Sequence, residues 1–117
     1  METKKVTLEL NYTQEVVNAQ KNIYKGGVEH PQNMDELCIN VYENYRFNDL
    51  TDEFETDNQY NIEIQGSDKS LYELGKFLIN VALYKTTDPD FHVHIDGITN
   101  SEGEEKFNLK IRKHREE

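Results

Sequence analysis

Two histidines and an aspartate stand at alternate positions in the stretch DPDFHVHIDG, as His92, His94 and Asp96. Histidines two apart on an extended strand can both reach one Zn²⁺ at about 2.0–2.1 Å, and a carboxylate can complete a catalytic set that leaves one position open for water. That defines one function class, a small metal-binding protein or metal-dependent enzyme built on His92, His94 and Asp96. The plainer account is the wet face of a strand. Alternation puts Asp90, His92, His94 and Asp96 on one side and Phe91, Val93 and Ile95 on the other, and an outer face needs polar residues whether or not they are ligands. No third ligand is obvious, because His30 lies in a loop and His114 in the C-terminal tail. A solvated or partner-facing surface is therefore the preferred account of His92 and His94, and no metal or cofactor is expected.

Other chemistries are weaker still. Cys38, the only cysteine, sits inside a plain alternation with no nucleophile signature around it. Carboxylates are too abundant for one acid–base pair to stand out. Gly26-Gly27 lacks the lysine and helix of a phosphate-binding loop and reads as a turn. The chain is not expected to be an enzyme.

Residues 42–57 carry the stronger signal, and it concerns binding. Glu43, Asp49, Asp52, Glu53, Glu55 and Asp57 are opposed there only by Arg46, and Tyr42, Tyr45, Phe47 and Phe54 lie among them. Carboxylates steer a basic partner and speed association, while aromatic side chains supply desolvated anchors that hold it. Such a surface suits an inhibitor of a basic nuclease. The competing account is a solvated loop whose aromatics cap the core.

The elements that would position these residues follow from periodicity. Residues 4–12 alternate, with Val6, Leu8, Leu10 and Tyr12 on one face, and predict a strand. Residues 13–25 predict a helix capped by Thr13 and stopped at Gly26-Gly27, or else a second strand turning at those glycines. Residues 37–42 and 60–65 alternate as strands with Leu37, Ile39 and Val41, and Tyr60, Ile62 and Ile64, inward; residues 43–58 lack a period and read as an ordered loop or short helical turn. A helix over about 68–85 is capped by Ser67, with Leu71, Leu74, Leu78, Val81 and Ala82 as its inward stripe and Gly75 in the same stripe, allowing a sheet to approach closely. Its flanks are apolar too, and only Glu73, Lys76 and Asn80 make a polar strip, so more than one sheet face should cover it, supplied by residues 13–25 or by a second protomer. Residues 90–96 and 106–112 make a hairpin, with Phe91, Val93 and Ile95 facing Phe107, Leu109 and Ile111. The outward residues of these strands, Thr7 and Glu9, Asn40 and Tyr42, Glu63 and Gln65, His92 and His94, and Asn108 and Lys110, form an open polar sheet face.

With 117 residues the chain is most simply a single domain, 1–117, and its mean hydropathy of -0.89 reflects a charged surface over short apolar runs. A formal net charge of -10 disfavours nucleic acid and anionic lipid as partners and favours basic ones. No apolar run approaches the ~20 residues of a membrane span, no leader of signal-peptide type opens the sequence, and a lone cysteine suits a reducing compartment; a cytoplasmic location is expected. The fold expected is α+β, a mainly antiparallel sheet of about five strands with one long helix packed on one face.

The run IEIQGSDKSLYELGKFLINVA, followed by FHVHID and FNLKIRK, resembles the bacterial polymorphic-toxin immunity proteins of immunity protein family 32 over residues 61–113. The shared pattern is a strand ending in glycine, a leucine-rich helix, a histidine-bearing strand and a final strand. The resemblance implies a non-enzymatic protein that binds and neutralises a cognate toxin domain, and it assigns no contact residues. The partner-binding set expected from the residues themselves is Tyr42, Glu43, Tyr45, Phe47, Asp49, Asp52, Glu53, Phe54 and Glu55, with His92 and His94 as a second contact. A homodimeric structural or adaptor domain is the third alternative.

Overall fold

The computed structural model describes residues 1–114. Its elements run β1 (Tyr12–Asn18), β2 (Ile23–Val28), a 3-10 turn (Met34–Glu36), β3 (Cys38–Asn48), β4 (Glu53–Gln65), α1 (Asp68–Leu83), β5 (His92–Thr99) and β6 (Lys106–Arg112). The architecture is α+β, with one two-stranded sheet, β1-β2, and one four-stranded sheet ordered β4-β3-β5-β6. This corrects the single sheet expected from the sequence.

Helix α1 starts where its cap residues dictate. Ser67 Oγ accepts from the Ser70 N–H at 3.1 Å, and Asp68 adds a negative charge to the first turn. At the other end Lys113 Nζ donates to the carbonyls of Ala82 and Tyr84, at 3.0 and 2.6 Å, which satisfies two of the orphan acceptors of the last turn. The buried stripe is Ser70, Leu74, Phe77, Asn80, Val81 and, just past the end, Tyr84. It packs on Leu37, Ile39, Ile95 and Ile98, with Met34, Phe91, Val93, Phe107, Leu109 and Ile111 half-buried around them. Leu71, Leu78 and Ala82, expected inward, are exposed, and a Cβ built on Gly75 meets nothing within 4 Å. Gly75 therefore does not serve a close helix–sheet approach. Apolar residues almost encircle this helix, so period alone could not set its rotation; the buried Asn80, bonded to another element, marks the side that faces inward.

Asn80 is buried because its Nδ2 donates to the Asn11 carbonyl at 2.9 Å, where the β1–β2 hairpin docks. Tyr84 Oη donates to the Thr13 carbonyl at 2.8 Å, its ring stacks on Phe91 at 5.2 Å, and Tyr12 meets it edge-on at 6.1 Å. The Glu15 carboxylate accepts from the Thr86 hydroxyl and from the N–H and hydroxyl of Thr87. Those hydrogen bonds, the one from Thr86 foremost, hold Glu15 below the usual carboxylate range, while burial, and then the charge of Glu15, raises the Tyr84 phenol. Residues 13–25 are thus two strands and not a helix, and the turn falls at 19–22 with Asn22 at φ 52°, ahead of the glycines. Gly26 lies opposite the irregularity between Thr13 and Val16, at φ 123° and against Tyr84 Oη, where only glycine fits. The strand expected over 4–12 begins only at Tyr12; just ahead of it the Asn11 carbonyl still accepts from the Glu29 N–H at 3.0 Å, and residues 4–10 form no strand.

Strands β5 and β6 form the expected hairpin, with Val93 opposite Ile111 and Ile95 opposite Leu109. A bulge between Ile95 and Ile98, with Gly97 at φ 73° and its N–H donating to Asn108 Oδ1 at 3.0 Å, extends β5 to Thr99 and returns Ile98 to the core. The junction between the two hairpins of the larger sheet is short. Cys38 opposite Thr99 is the one register pair joining β3 to β5, and it is parallel.

Candidate functional site

A junction that short leaves the rest of β3 and β4 projecting from the body as a two-stranded ribbon. The molecule measures 63 × 38 × 33 Å with a radius of gyration of 19.1 Å, where a compact chain of this length would have about 13 Å. The loop expected over 42–57 is therefore the outer part of a long hairpin, and its absence of period has a local cause. Between Glu43 opposite Tyr60 and Tyr45 opposite Thr56, β3 holds Asn44 alone while β4 holds Asp57, Asn58 and Gln59. Two surplus residues preserve the in–out parity on either side of the bulge while breaking the alternation a sequence reader follows. Asn44 Nδ2 donates to Asp57 Oδ2 at 2.7 Å, Asn61 Nδ2 donates to Asn44 Oδ1 at 3.3 Å, and Asn58 takes φ 62°.

The register makes the ribbon amphipathic. Ile39, Val41, Glu43, Tyr45 and Phe47 of β3 share one face with Ile64, Ile62, Tyr60, Thr56 and Phe54 of β4. This face continues the core face of the sheet outward from Ile39, and among the described residues nothing covers it. Val41, Tyr60, Ile62 and Ile64, expected inward, point toward the core side but are exposed, Ile62 at 71% and Phe54 at 73%. Phe47 and Phe54 meet edge-on at 5.3 Å, which orders them without burying them. Glu43 is the one carboxylate on this face; it accepts from the Tyr45 hydroxyl at 2.8 Å, and that bond raises the Tyr45 phenol.

The opposite face is polar. Asn40, Tyr42, Asn44, Arg46 and Asn48 alternate there with Glu63, Asn61, Glu55 and Glu53. At the tip Asp52 adopts φ 57° and its N–H donates to the Asn48 carbonyl at 2.9 Å, closing the turn that carries Asp49 and Leu50. Leu50 is 97% exposed. Tyr42, Glu43, Tyr45, Phe47, Asp49, Asp52, Glu53, Phe54 and Glu55 thus come together on one ribbon, although Tyr42, Glu53 and Glu55 take the face away from the apolar stripe. Val41, Tyr60 and Ile62, on the apolar face, and Leu50, at the tip, share the ribbon with this set but were not placed in it from the sequence. The signal for Val41, Tyr60 and Ile62 was the alternation of 37–47 and 60–64, read through the bulge; Leu50, in the turn between the strands, had none.

His92 and His94 do not join this surface. Strands β3 and β5 run parallel from their shared pair, so His92 lies at the far end of β5, about 20 Å along the strand from Thr99. The two rings contact edge-on with centroids 4.8 Å apart, and His92 Nδ1 lies 2.6 Å from the Asp90 carbonyl. Asp96 falls at the bulge, and among the described residues no group of three or more His, Cys, Asp or Glu is arranged to hold a metal ion. The set His92, His94 and Asp96 is not brought together as a site. A cleft lined by Ala82, Thr86, Asp88, Phe91 and Lys113 lies near the end of α1, where the Lys113 ammonium is already committed to capping the helix. Among the described residues no helix is long and apolar enough to cross a membrane.

Comparison with protein-family models, with curated proteins and with solved structures finds no match to this chain.

Proposed function

We propose that this is a non-enzymatic immunity protein, and that the β3–β4 ribbon is the element that grips its cognate toxin domain. The observation that carries the reading is the ribbon's uncovered apolar face, edged by carboxylates and held off the body by a one-pair junction. An isolated two-stranded hairpin gains little stability in water, so a free ribbon of this length is best supported when a partner lies against it. Leu50, Phe47, Phe54, Tyr45 and Ile62 are the anchors in this account. Asp49, Asp52, Glu53 and Glu55 supply the steering charge toward a basic toxin such as a nuclease, and neutralisation is by occlusion, with no chemical step. The toxin partner follows from the resemblance over residues 61–113; the ribbon supports protein binding of this kind.

The test is survival of cells in which the toxin domain encoded beside this protein is induced. Rescue by the wild-type chain and its loss with Leu50→Ser combined with Phe54→Ser, both folded by circular dichroism, are expected. Equal killing with and without the protein would overturn the immunity reading, and undiminished rescue by the double variant would remove the ribbon from it.

A further inference from the structure

A second uncovered surface lies away from the ribbon, on the outer side of α1. Turning through the helix at about 100° per residue, Leu71, Tyr72, Gly75, Leu78, Ile79, Ala82 and Leu83 form one continuous strip opposite the buried stripe. Asp68, at the start of the helix, is the one charged residue on that arc. Leu83 is 66% exposed and Leu71, Tyr72, Leu78 and Ile79 each more than two-fifths.

We infer that this strip is the interface of a two-fold symmetric homodimer, two α1 helices meeting across Gly75. The area is of the size that one side of a dimer contact needs. The chain exposes 9679 Å² at a mass of 13.8 kDa, whereas a compact monomer of that mass exposes about 6,600 Å². Part of the excess of roughly 3,000 Å² belongs to the ribbon and the first residues, and the strip holds on the order of 500 Å² of apolar side chain, the upper end of what typical monomers leave bare. A standard interface takes about 800 Å² per partner, of which about 65% is apolar in homodimers, so the strip matches one side of such a contact.

Charge selects the occupant. A basic partner is recognised by carboxylates, which cluster on the ribbon and are all but missing from this strip. Two copies each carrying a net charge of -10 repel wherever their acidic surfaces meet and close most readily across this strip, whose one charge, Asp68, lies at the start of the helix away from Gly75. A self-complementary patch on one helix is what an isologous two-fold contact requires. Gly75 acquires a reason in the same arrangement. Within one chain its missing Cβ relieves no contact, yet glycine inside a helix costs about 1 kcal/mol relative to alanine; in the dimer it lets the helix backbones approach.

Light scattering of the purified chain, with variants Gly75→Arg and Ile79→Gln, tests this. The wild type is expected at twice the chain mass, with a thermal midpoint that rises with protein concentration. Gly75→Arg adds a side chain where the single chain has room, and it lowers the net negative charge, so it should fold and yet raise the dimer dissociation constant at least 100-fold; Ile79→Gln should weaken the dimer in the same direction and guards against a folding defect in the first variant. Wild type at the single-chain mass, or a fully dimeric Gly75→Arg or Ile79→Gln, would overturn the inference.

Discussion

Substituting Gly26 by alanine isolates the contact that fastens the β1–β2 hairpin to the helix. The new Cβ would lie 2.6 Å from Tyr84 Oη and 2.8 Å from each of the Thr13 and Gln14 carbonyl oxygens. Tyr84 can swing away, but two backbone oxygens of a paired strand cannot, so the hairpin must shift and release the Tyr84–Thr13 hydrogen bond. Forcing a non-glycine residue into φ 123° costs of order 1–3 kcal/mol, and the lost bond to a buried hydroxyl adds about 1 kcal/mol. The sum is about 2–4 kcal/mol, or a fall in Tm on the order of 10 °C for a domain of this size. Gly27→Ala is the control, because its φ of 155° is also unusual but its built Cβ meets nothing within 4 Å. Urea unfolding followed by circular dichroism should place Gly26→Ala below Gly27→Ala by at least about 1 kcal/mol, the worth of the contact. Equal destabilisation would mean that backbone strain alone is at work and that the hairpin is not clamped at Tyr84.

Further outcomes follow from the same structure. Gly66→Ala, whose Cβ would fall 2.5 Å from Ser70 Oγ and 2.6 Å from Leu37 Cδ2, should disturb the helix cap and the core together and cost about 2–3 kcal/mol by chemical unfolding. The Glu15 carboxylate has a folded pKa below its ordinary value of 4.5, so its contribution to stability is present above that value and is lost as pH falls through the folded one. Wild type should accordingly lose more Tm than Glu15→Gln between pH 5 and pH 3, and parallel losses would refute the linkage. Phe54→Ala removes an exposed edge-to-face partner and should lower stability by only about 0.5–1.5 kcal/mol, yet weaken toxin binding by about 2 kcal/mol or more if it is an anchor; calorimetry that finds affinity unchanged would count against that role. Asp52→Asn with Glu53→Gln should slow association and flatten its salt dependence, with little change in dissociation, as read by stopped-flow fluorescence.

Much of the framework was legible in the residues. Ser67 announces the start of the helix, and the alternation of 91–95 against 107–111 announces the last hairpin together with its core face. The helix rotation was not legible, because Leu71 and Leu78 look as inward as Leu74 until Asn80 is seen to find its partner, the Asn11 carbonyl, inside. The ribbon was hidden by the surplus residues at 57–59, which made two continuous strands read as a loop between short ones. Its chemistry was nonetheless visible: the acids and aromatics of 42–57 share one element, although the structure sorts them onto two faces. In the His92-x-His94 stretch the two rings stay in edge contact while Asp96 falls at a bulge, so the structure, among its described residues, sets no third ligand beside them.

The ribbon is the proposed seat of the partner. Amide hydrogen exchange on the free chain and on its complex with the cognate toxin domain tests this most directly, because the ribbon's outer edges leave amides open to solvent. Slowed exchange concentrated in residues 41–64, with α1 and the β5–β6 hairpin unchanged, is the predicted pattern. Slowed exchange at β5 and β6 around His92 and His94, with the ribbon as exposed as before, would contradict the account and move the binding surface to the other end of the molecule.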